Sequence, residues 1–419
     1  MYIRNIFCIF LCLIASLQLK AQQSTPASVL NDFMAQRFGM FIHWGPVTLR
    51  GTEIGWSRGS GVPTAEYDQL YKEFNPVLFD ADNWAKTARK AGMKYLTITA
   101  KHHDGFCLWP TAFSDYNIMH TPFKRDIVGE LAAACKREGI LFCIYFTVLD
   151  WHDPDYTGDA KTFVQRMKNE LKELITNYHP YMLWFDGNWE QPWKQEYGAE
   201  IYSYIKSLDK DVIINNRLGK GKHTELGAGT VGDYATPEQF IGALNMNIPW
   251  ESCITICQQW SWKPNDAMKS LRTCIQTLVK TAASNGNLLF NIGPMPDGRI
   301  EQRQVSRLEE MGSWLNKYGE SIYGTKGGPF TPDSIFATTR KGNTLYLHVF
   351  DHQKDTLTLP PLGKLKVRKA AFIKGEAVVF TSGAAGTTIR LPAALPDSIC
   401  SVIALELNGN AEALPVIKK

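Results

Sequence analysis

Carboxylates, histidines, an arginine and tryptophans recur in this chain at one kind of position, the place where a short apolar run stops. The run Tyr181 to Phe185 ends on Asp186 and then Gly187. Phe38 to Ile42 ends on His43, with Trp44 and Gly45 behind it, and Lys94 to Lys101 ends on His102, His103 and Asp104. Leu141 to Phe146 carries Tyr145 near its end, and Val212 to Asn216 runs into Arg217. A carboxylate can serve as nucleophile or as general acid and base, while neutral imidazoles, a phenol and a guanidinium bind hydroxyl groups. Asp186 also has a plain structural reading, because a short polar residue there can cap the following helix. One histidine at a strand end is most often a satisfied core group. Polar groups at five successive run ends are harder to place that way, since each would need its own buried partner. Brought together with Trp184, they would line a polar pocket with an aromatic wall, suited to a small polyhydroxylated ligand.

Such residues converge only if the runs are neighbouring strands whose carboxyl ends lie on one side. The intervening sequence predicts that arrangement. Asp82 to Gly92 has an N-cap aspartate, helix formers and a terminating glycine, and Asp126 to Gly139 repeats the pattern. Lys161 to Asn177 reads as an amphipathic helix, as does a stretch from Asp266 to about Asn285, which leads into the strand Asn287 to Gly293. Helix–glycine–strand units repeated over some three hundred residues predict an α/β fold with a parallel sheet, and at this length a (β/α)8-like TIM barrel. Gly219 to Leu244 is irregular and glycine-rich, as expected of long loops over a barrel mouth. No G-x-G-x-x-G follows a strand, so a dinucleotide fold lacks its fingerprint. Gln302 to Tyr318 is a closing helix and Gly319 to Pro329 reads as a linker. Beyond it, Thr344 to Phe350, Leu365 to Phe372, Thr387 to Leu391 and Ser401 to Leu407 alternate as short strands, predicting a C-terminal antiparallel β-sandwich.

At 419 residues the chain can bury a large core and two domains. Arg4 precedes ten apolar residues, Ile6 to Ala15, and a small residue, Ala21, precedes a polar stretch. That is the pattern of a secretory signal peptide, too short to span a bilayer stably. The expected organisation is a signal peptide over 1–21, a barrel over 22–328 and a sandwich over 329–419, exported to a periplasmic or extracellular location with no membrane span. Loss of Arg4 and Lys20 takes the net charge from +4 to +2, which gives no electrostatic reason to expect nucleic acid. Seven cysteines remain after the leader, mostly inside apolar runs, and read as buried small hydrophobes rather than a disulfide framework. Cys253 and Cys257 lack a second Cys/His pair at zinc spacing.

Five segments, taken in order, resemble α-L-fucosidases of glycoside hydrolase family 29. They are Phe-Gly-Met-Phe-Ile-His-Trp-Gly (38–45), Lys-His-His-Asp-Gly-Phe (101–106), Leu-Trp-Phe-Asp-Gly (183–187), Trp-Glu-Ser-Cys (250–253) and Gly-Asn-Leu-Leu-Phe-Asn-Ile-Gly-Pro (286–294). The resemblance implies an exo-acting, retaining hydrolase that releases terminal α-L-fucose from a fucosylated oligosaccharide or glycoconjugate without metal or cofactor. It implies Asp186 as nucleophile and His43, His102, His103, Tyr145, Trp184 and Arg217 as fucose-binding residues. Glu53 and Trp56 match a further sugar-contacting loop. For the acid/base, Glu238 matches the family position and Glu251 competes, Glu251 reading otherwise as a buried carboxylate bracing its loop. The run Gln258 to Trp262 departs from the Trp-Gly-Tyr common in the family.

Two other classes fit parts of this pattern. A fucose-binding lectin on the same barrel would keep His102, His103 and Arg217 but has no need of Asp186. A metal-dependent hydrolase would use His43, His102, His103 and Asp104. Against it, adjacent histidines on a strand face opposite ways, and no H-x-H pair is present.

Overall fold

The computed structural model of the protein describes residues 24–351 and 355–417, so the leader expected over 1–21 lies outside the described residues. Seven strands form one parallel sheet: β1 (Phe38–Ile42), β2 (Tyr95–Lys101), β3 (Leu141–Thr147), β4 (Met182–Asp186), β5 (Ile213–Ile214), β6 (Glu251–Thr255) and β7 (Asn287–Ile292). Their order is β5-β4-β3-β2-β1-β7-β6. Helices Ala81–Lys90, Ile127–Glu138, Ala160–Tyr178, Gln195–Leu208 and Leu271–Ala283 make the crossovers, and Gln302–Tyr318 follows β7. The sheet is curled. Between its two edge strands runs the segment 231–238, joined by single parallel bridges. Asn215–Tyr234 and Arg217–Val231 face β5, and Ala235–Trp250 and Glu238–Cys253 face β6.

The strands read as continuous apolar runs because both faces are covered. Alternation then sorts their side chains. Leu183 and Phe185 of β4 pack outward with Ile144 and Phe146 of β3 and with the helices. Met182 and Trp184 point inward with Phe41, Tyr95, Cys143, Tyr145, Tyr234 and Cys253. Asp186, two residues beyond Trp184, therefore continues the inward row at the carboxyl end. Gly39 is required here, since a Cβ would lie 2.2 Å from the Tyr95 ring.

The remaining strands are antiparallel. β8 (Lys326–Gly327), β9 (Phe336–Lys341), β10 (Thr344–Val349), β12 (Val367–Phe372) and β15 (Ser401–Leu407) make a five-stranded sheet ordered β12-β15-β10-β9-β8. β11 (Thr356–Leu359), β13 (Phe380–Gly383) and β14 (Gly386–Arg390) make a three-stranded one. The two sheets share an apolar cluster that includes Leu345, Leu347 and Leu405 from the first, and Leu357, Leu359 and Ile389 from the second.

Several expectations are corrected. The cap of the first crossover helix is Asp80, which accepts from the Asn83 amide, so Asp82 lies inside the first turn. Asp266 starts no helix. Its carboxylate takes the Gln258 and Gln259 amides at 3.0 and 2.9 Å, and Ser270 caps the helix that begins at Leu271. The fifth strand is two residues long rather than five, because the Asn215 side chain accepts from Phe185 N (2.7 Å) and donates to Phe185 O (2.8 Å), replacing the ladder. The stretch 319–329 is no free linker, since β8 within it pairs with β9. The seven cysteines described are all free and buried, as expected. Among the described residues no helix is long and apolar enough to cross a membrane.

Candidate active site

The strand ends converge on one pocket. Its void, about 360 Å³ with the open mouth included, is bounded by Phe41, His43, Trp56, His102, Tyr145, Trp184, Asp186, Trp189, Glu238, Cys253 and Trp260. It lies at the carboxyl ends of the strands, the usual place for chemistry in a parallel barrel. Two larger clefts, of about 1750 and 1390 Å³, are lined by residues just before strands, such as Arg37, Pro249, Pro180 and Val212. Neither holds any of the strand-end groups.

Asp186 is the centre of the site. Arg217 Nη1 donates to its Oδ1 at 2.8 Å, the Tyr145 hydroxyl donates to Oδ2 at 3.1 Å, and His103 Nε2 lies 3.5 Å from Oδ2. Burial pushes the carboxyl up, but the Arg217 charge and the hydrogen bonding of His103 and Arg217 outweigh it and hold Asp186 well below the usual carboxylate range. The same Arg217 Nη1 lies 2.9 Å from Glu238 Oε2. One guanidinium nitrogen thus touches both carboxylates. Arg217 is itself fixed, with Nε donating to Thr236 Oγ1 (2.9 Å), Nη2 donating to Thr236 O (3.0 Å) and its Cζ 4.6 Å from the centroid of the Trp184 ring. Thr236 was not singled out by its sequence, yet it ties Arg217 to the irregular stretch that delivers Glu238.

Glu251 occupies a different layer. It is fully buried on β6, where the Tyr95 hydroxyl, Trp184 Nε1 and the Tyr234 hydroxyl donate to it at 2.5, 3.2 and 3.5 Å. Burial raises its carboxyl to about 7 against those hydrogen bonds. It braces the inner face of the curled sheet beneath Trp184, not a loop, and does not border the pocket.

The histidines differ in their partners. The Asn291 side-chain amide donates to Trp260 O (2.7 Å), so its Oδ1 accepts from His43 Nδ1 at 2.6 Å and leaves His43 Nε2 as an acceptor. Burial holds His43 neutral, lowered to about 3. His102 is pushed well below its ordinary value by burial and by the neighbouring imidazoles, and its Nδ1 is buried without a partner. His103 Nδ1 meets Thr147 Oγ1 at 2.7 Å. The rings of His102 and His103 lie only 4.2 Å apart. The expectation that they face opposite ways fails because both follow the last residue of β2, where strand alternation no longer applies. Asp104 is turned away, held by the Tyr67 hydroxyl at 2.7 Å. Among the described residues no group of three or more His, Cys, Asp or Glu is placed to hold a metal ion.

Trp56 lines the pocket, but Glu53 does not. Both of its oxygens accept from the Trp260 amide (3.0 and 3.1 Å), and one also from Ser261 N (3.2 Å). It holds the loop that sets Trp260 against His43, ring centroids 4.8 Å apart. Burial raises it to about 7. Phe41, Asn291, Trp189, Cys253 and Trp260 are further residues at the site that were not expected there from the sequence. Phe41, Asn291 and Cys253 stand inside motifs already singled out. Trp260 sits in the departing run, and Trp189 follows Asp186 by three residues.

A family model described as Alpha-L-fucosidase matches residues 15–320. The tissue alpha-L-fucosidase of Bos taurus is 32% identical over 326 residues, 70% of this chain and 69% of that protein. The alpha-L-fucosidase of Dictyostelium discoideum is 28% identical over 411 residues, 86% of this chain and 88% of its own. Among solved structures, alpha-L-fucosidase isoenzyme 1 from Paenibacillus thiaminolyticus superposes with a TM-score of 0.84 at 32% identity, covering 91% of this chain and 99% of that one. A family 29 alpha-L-fucosidase from Bacteroides thetaiotaomicron, captured as a covalent intermediate with 2-fluoro-fucosyl fluoride, superposes with a TM-score of 0.85 at 30% identity over 92% and 97% of the two chains.

Proposed function

The chain belongs to the α-L-fucosidases of glycoside hydrolase family 29, and from that premise we propose that it is an exo-acting, retaining enzyme. It removes terminal α-L-fucose from glycans through a covalent fucosyl-enzyme. Asp186 attacks the anomeric carbon while Glu238 gives its proton to the departing glycosidic oxygen. Water then attacks the same carbon as Glu238 takes a proton from it, releasing fucose with its configuration retained.

One observation carries this reading: a single nitrogen of Arg217 touches both carboxylates, at 2.8 and 2.9 Å. The two oxygens can be no farther apart than those distances laid end to end. That falls short of the roughly 6.5 Å at which inverting pairs begin and suits direct attack. Asp186, kept ionised beside Arg217, is fitted to be the nucleophile. His43 Nε2, the unpartnered His102, His103, Tyr145 and Arg217 offer the acceptors and donors that ring hydroxyls need, and Trp184 and Trp56 offer apolar faces. Glu53 serves by holding Trp260.

We read the curled sheet as a (β/α)8-type barrel whose remaining strand position is taken by 231–238, and the two antiparallel sheets as a sandwich. We place the division between them near residue 325 rather than at 328, a reading supported by the pairing of β8 with β9. Residues 1–21 are read as an export signal, and intact Met1 on protein from its native source would refute that.

The mechanism is tested with azide. Asp186→Gly should abolish turnover, and azide should restore some as β-fucosyl azide. Glu238→Ala should lose far more on a fucosylated disaccharide than on a nitrophenyl fucoside, and azide should then give the α-azide. If Glu251→Ala shows that second pattern and Glu238→Ala does not, the acid/base assignment is wrong.

A further inference from the structure

The mouth of the pocket holds two tryptophans that the fold has no need to expose. Trp56 is 48% and Trp189 42% exposed, while Phe41, Tyr145 and Trp184 deeper in the pocket are at most 2% exposed. The two indole planes lie within 14° of each other with ring centroids 6.0 Å apart. Both stand edge-on to His103, at 5.7 and 5.5 Å, so the pair sits directly above a neighbour of the nucleophile.

Trp189 is not a loose loop tip. Asn188 before it is buried, donating to Gly219 O and meeting His223 Nε2 at 3.0 Å. Glu190 after it takes Trp151 Nε1 (3.1 Å) and the Tyr156 hydroxyl (3.0 Å), and Lys220 Nζ donates to its carbonyl at 2.8 Å. A large indole pinned on both sides and left facing water forgoes apolar burial unless a ligand supplies it.

We propose that Trp189, seated beside Trp56, is a specificity-determining residue that stacks on the ring of the leaving group. This rests on the fucosidase reading above. Exo cleavage puts fucose in the closed end of the pocket, so the leaving group must lie in the mouth where the two indoles are. The chemistry recognised is a ring with a contiguous apolar face of C–H or π character, which a pyranose and an aryl group both offer.

The test compares kcat/KM of wild type, Trp189→Ala and Trp189→Phe on three substrates: α-L-fucosyl fluoride, which has no leaving-group ring, a nitrophenyl α-L-fucoside, and a fucosylated disaccharide. In Trp189→Ala the ratio of ring-bearing substrate to fluoride should fall about tenfold, chiefly through KM, the size of one stacked ring pair. Trp189→Phe should recover most of it. A fall for the disaccharide identifies a pyranose as the ring, and a fall for the nitrophenyl fucoside alone identifies an aryl leaving group. An equal loss on all three substrates, or no loss on any, overturns the proposal. Failure of wild type on all three overturns the fucosidase reading itself.

Discussion

Replacing Glu251 by glutamine separates the two glutamates without disturbing shape. In the native chain Glu251 is buried under Trp184 and its carboxyl is raised from 4.5 to about 7. A raised acid binds its proton more tightly when folded. Between about 4.5 and 7 the folded chain therefore holds more protons than the unfolded one, and stability falls as pH rises through that window and levels off above it. A displacement of this size corresponds to about 3 kcal/mol at pH 8. Glutamine is neutral at every pH and still offers an oxygen to the Trp184 indole. Urea unfolding at pH 5 and pH 8 should show Glu251→Gln near wild type at the lower pH and more stable at the higher, by something approaching that amount. Parallel stability curves for the two proteins would refute the burial argument. Activity of Glu251→Gln on a fucosylated disaccharide should stay within a few-fold of wild type, since the side chain does not reach the pocket. Selective loss on that substrate, with the nitrophenyl fucoside spared, would make Glu251 the acid after all.

Three further outcomes are expected. Glu53→Ala should raise KM for fucosides more than it lowers kcat and cost about 1–3 kcal/mol in urea unfolding, because the Trp260 and Ser261 amides lose their acceptor. Glu53→Gln, which keeps one oxygen, should recover much of both, and a loss confined to kcat would contradict a holding role. Lys101→Met should cost about 3–5 kcal/mol, since the buried Asp150 and Glu170 carboxylates, at 2.9 and 3.0 Å from Nζ, would lose their cation, and a cost below 1 kcal/mol would count against it. Residues 325–419, expressed alone and shown to fold, should not bind fucosylated glycans, and measurable binding would make that unit a carbohydrate-binding module.

Much of the parallel sheet was legible because its strands are buried on both faces and so read as unbroken apolar runs ending on polar residues. Asp186, His43, Tyr145 and Trp184 followed from that, each at the inward position that alternation dictates. What was not legible depended on side chains standing in for backbone. Asn215 cut the fifth strand short by bonding to Phe185, and Asp266 served loop amides instead of starting a helix. Glu53 came from a sugar-contacting motif, but its carboxylate had closer backbone amides to satisfy on a loop two hundred residues away. No local pattern shows that. In the C-terminal unit β8, β9, β11 and β13 were not legible. β13 is largely exposed and carries no alternation to read.

The choice between Glu238 and Glu251 turns on depth along the strands of the parallel sheet. In parallel α/β sheets the reacting groups belong at the carboxyl ends of the strands. Asp186 is the last residue of β4. Glu251 is the first residue of β6, so it starts at the opposite end and falls in the packed layer with Tyr95 and Tyr234. Glu238 lies on no regular strand, but its bridge to Cys253 sets it two residues farther along β6 than Glu251. That step is enough to lift its carboxylate out of the core. At 39% side-chain exposure it can reach both a leaving group and water, which an acid that later acts as a base must do. The register of one isolated bridge, absent from any propensity or motif, thus decides which glutamate stands opposite Asp186.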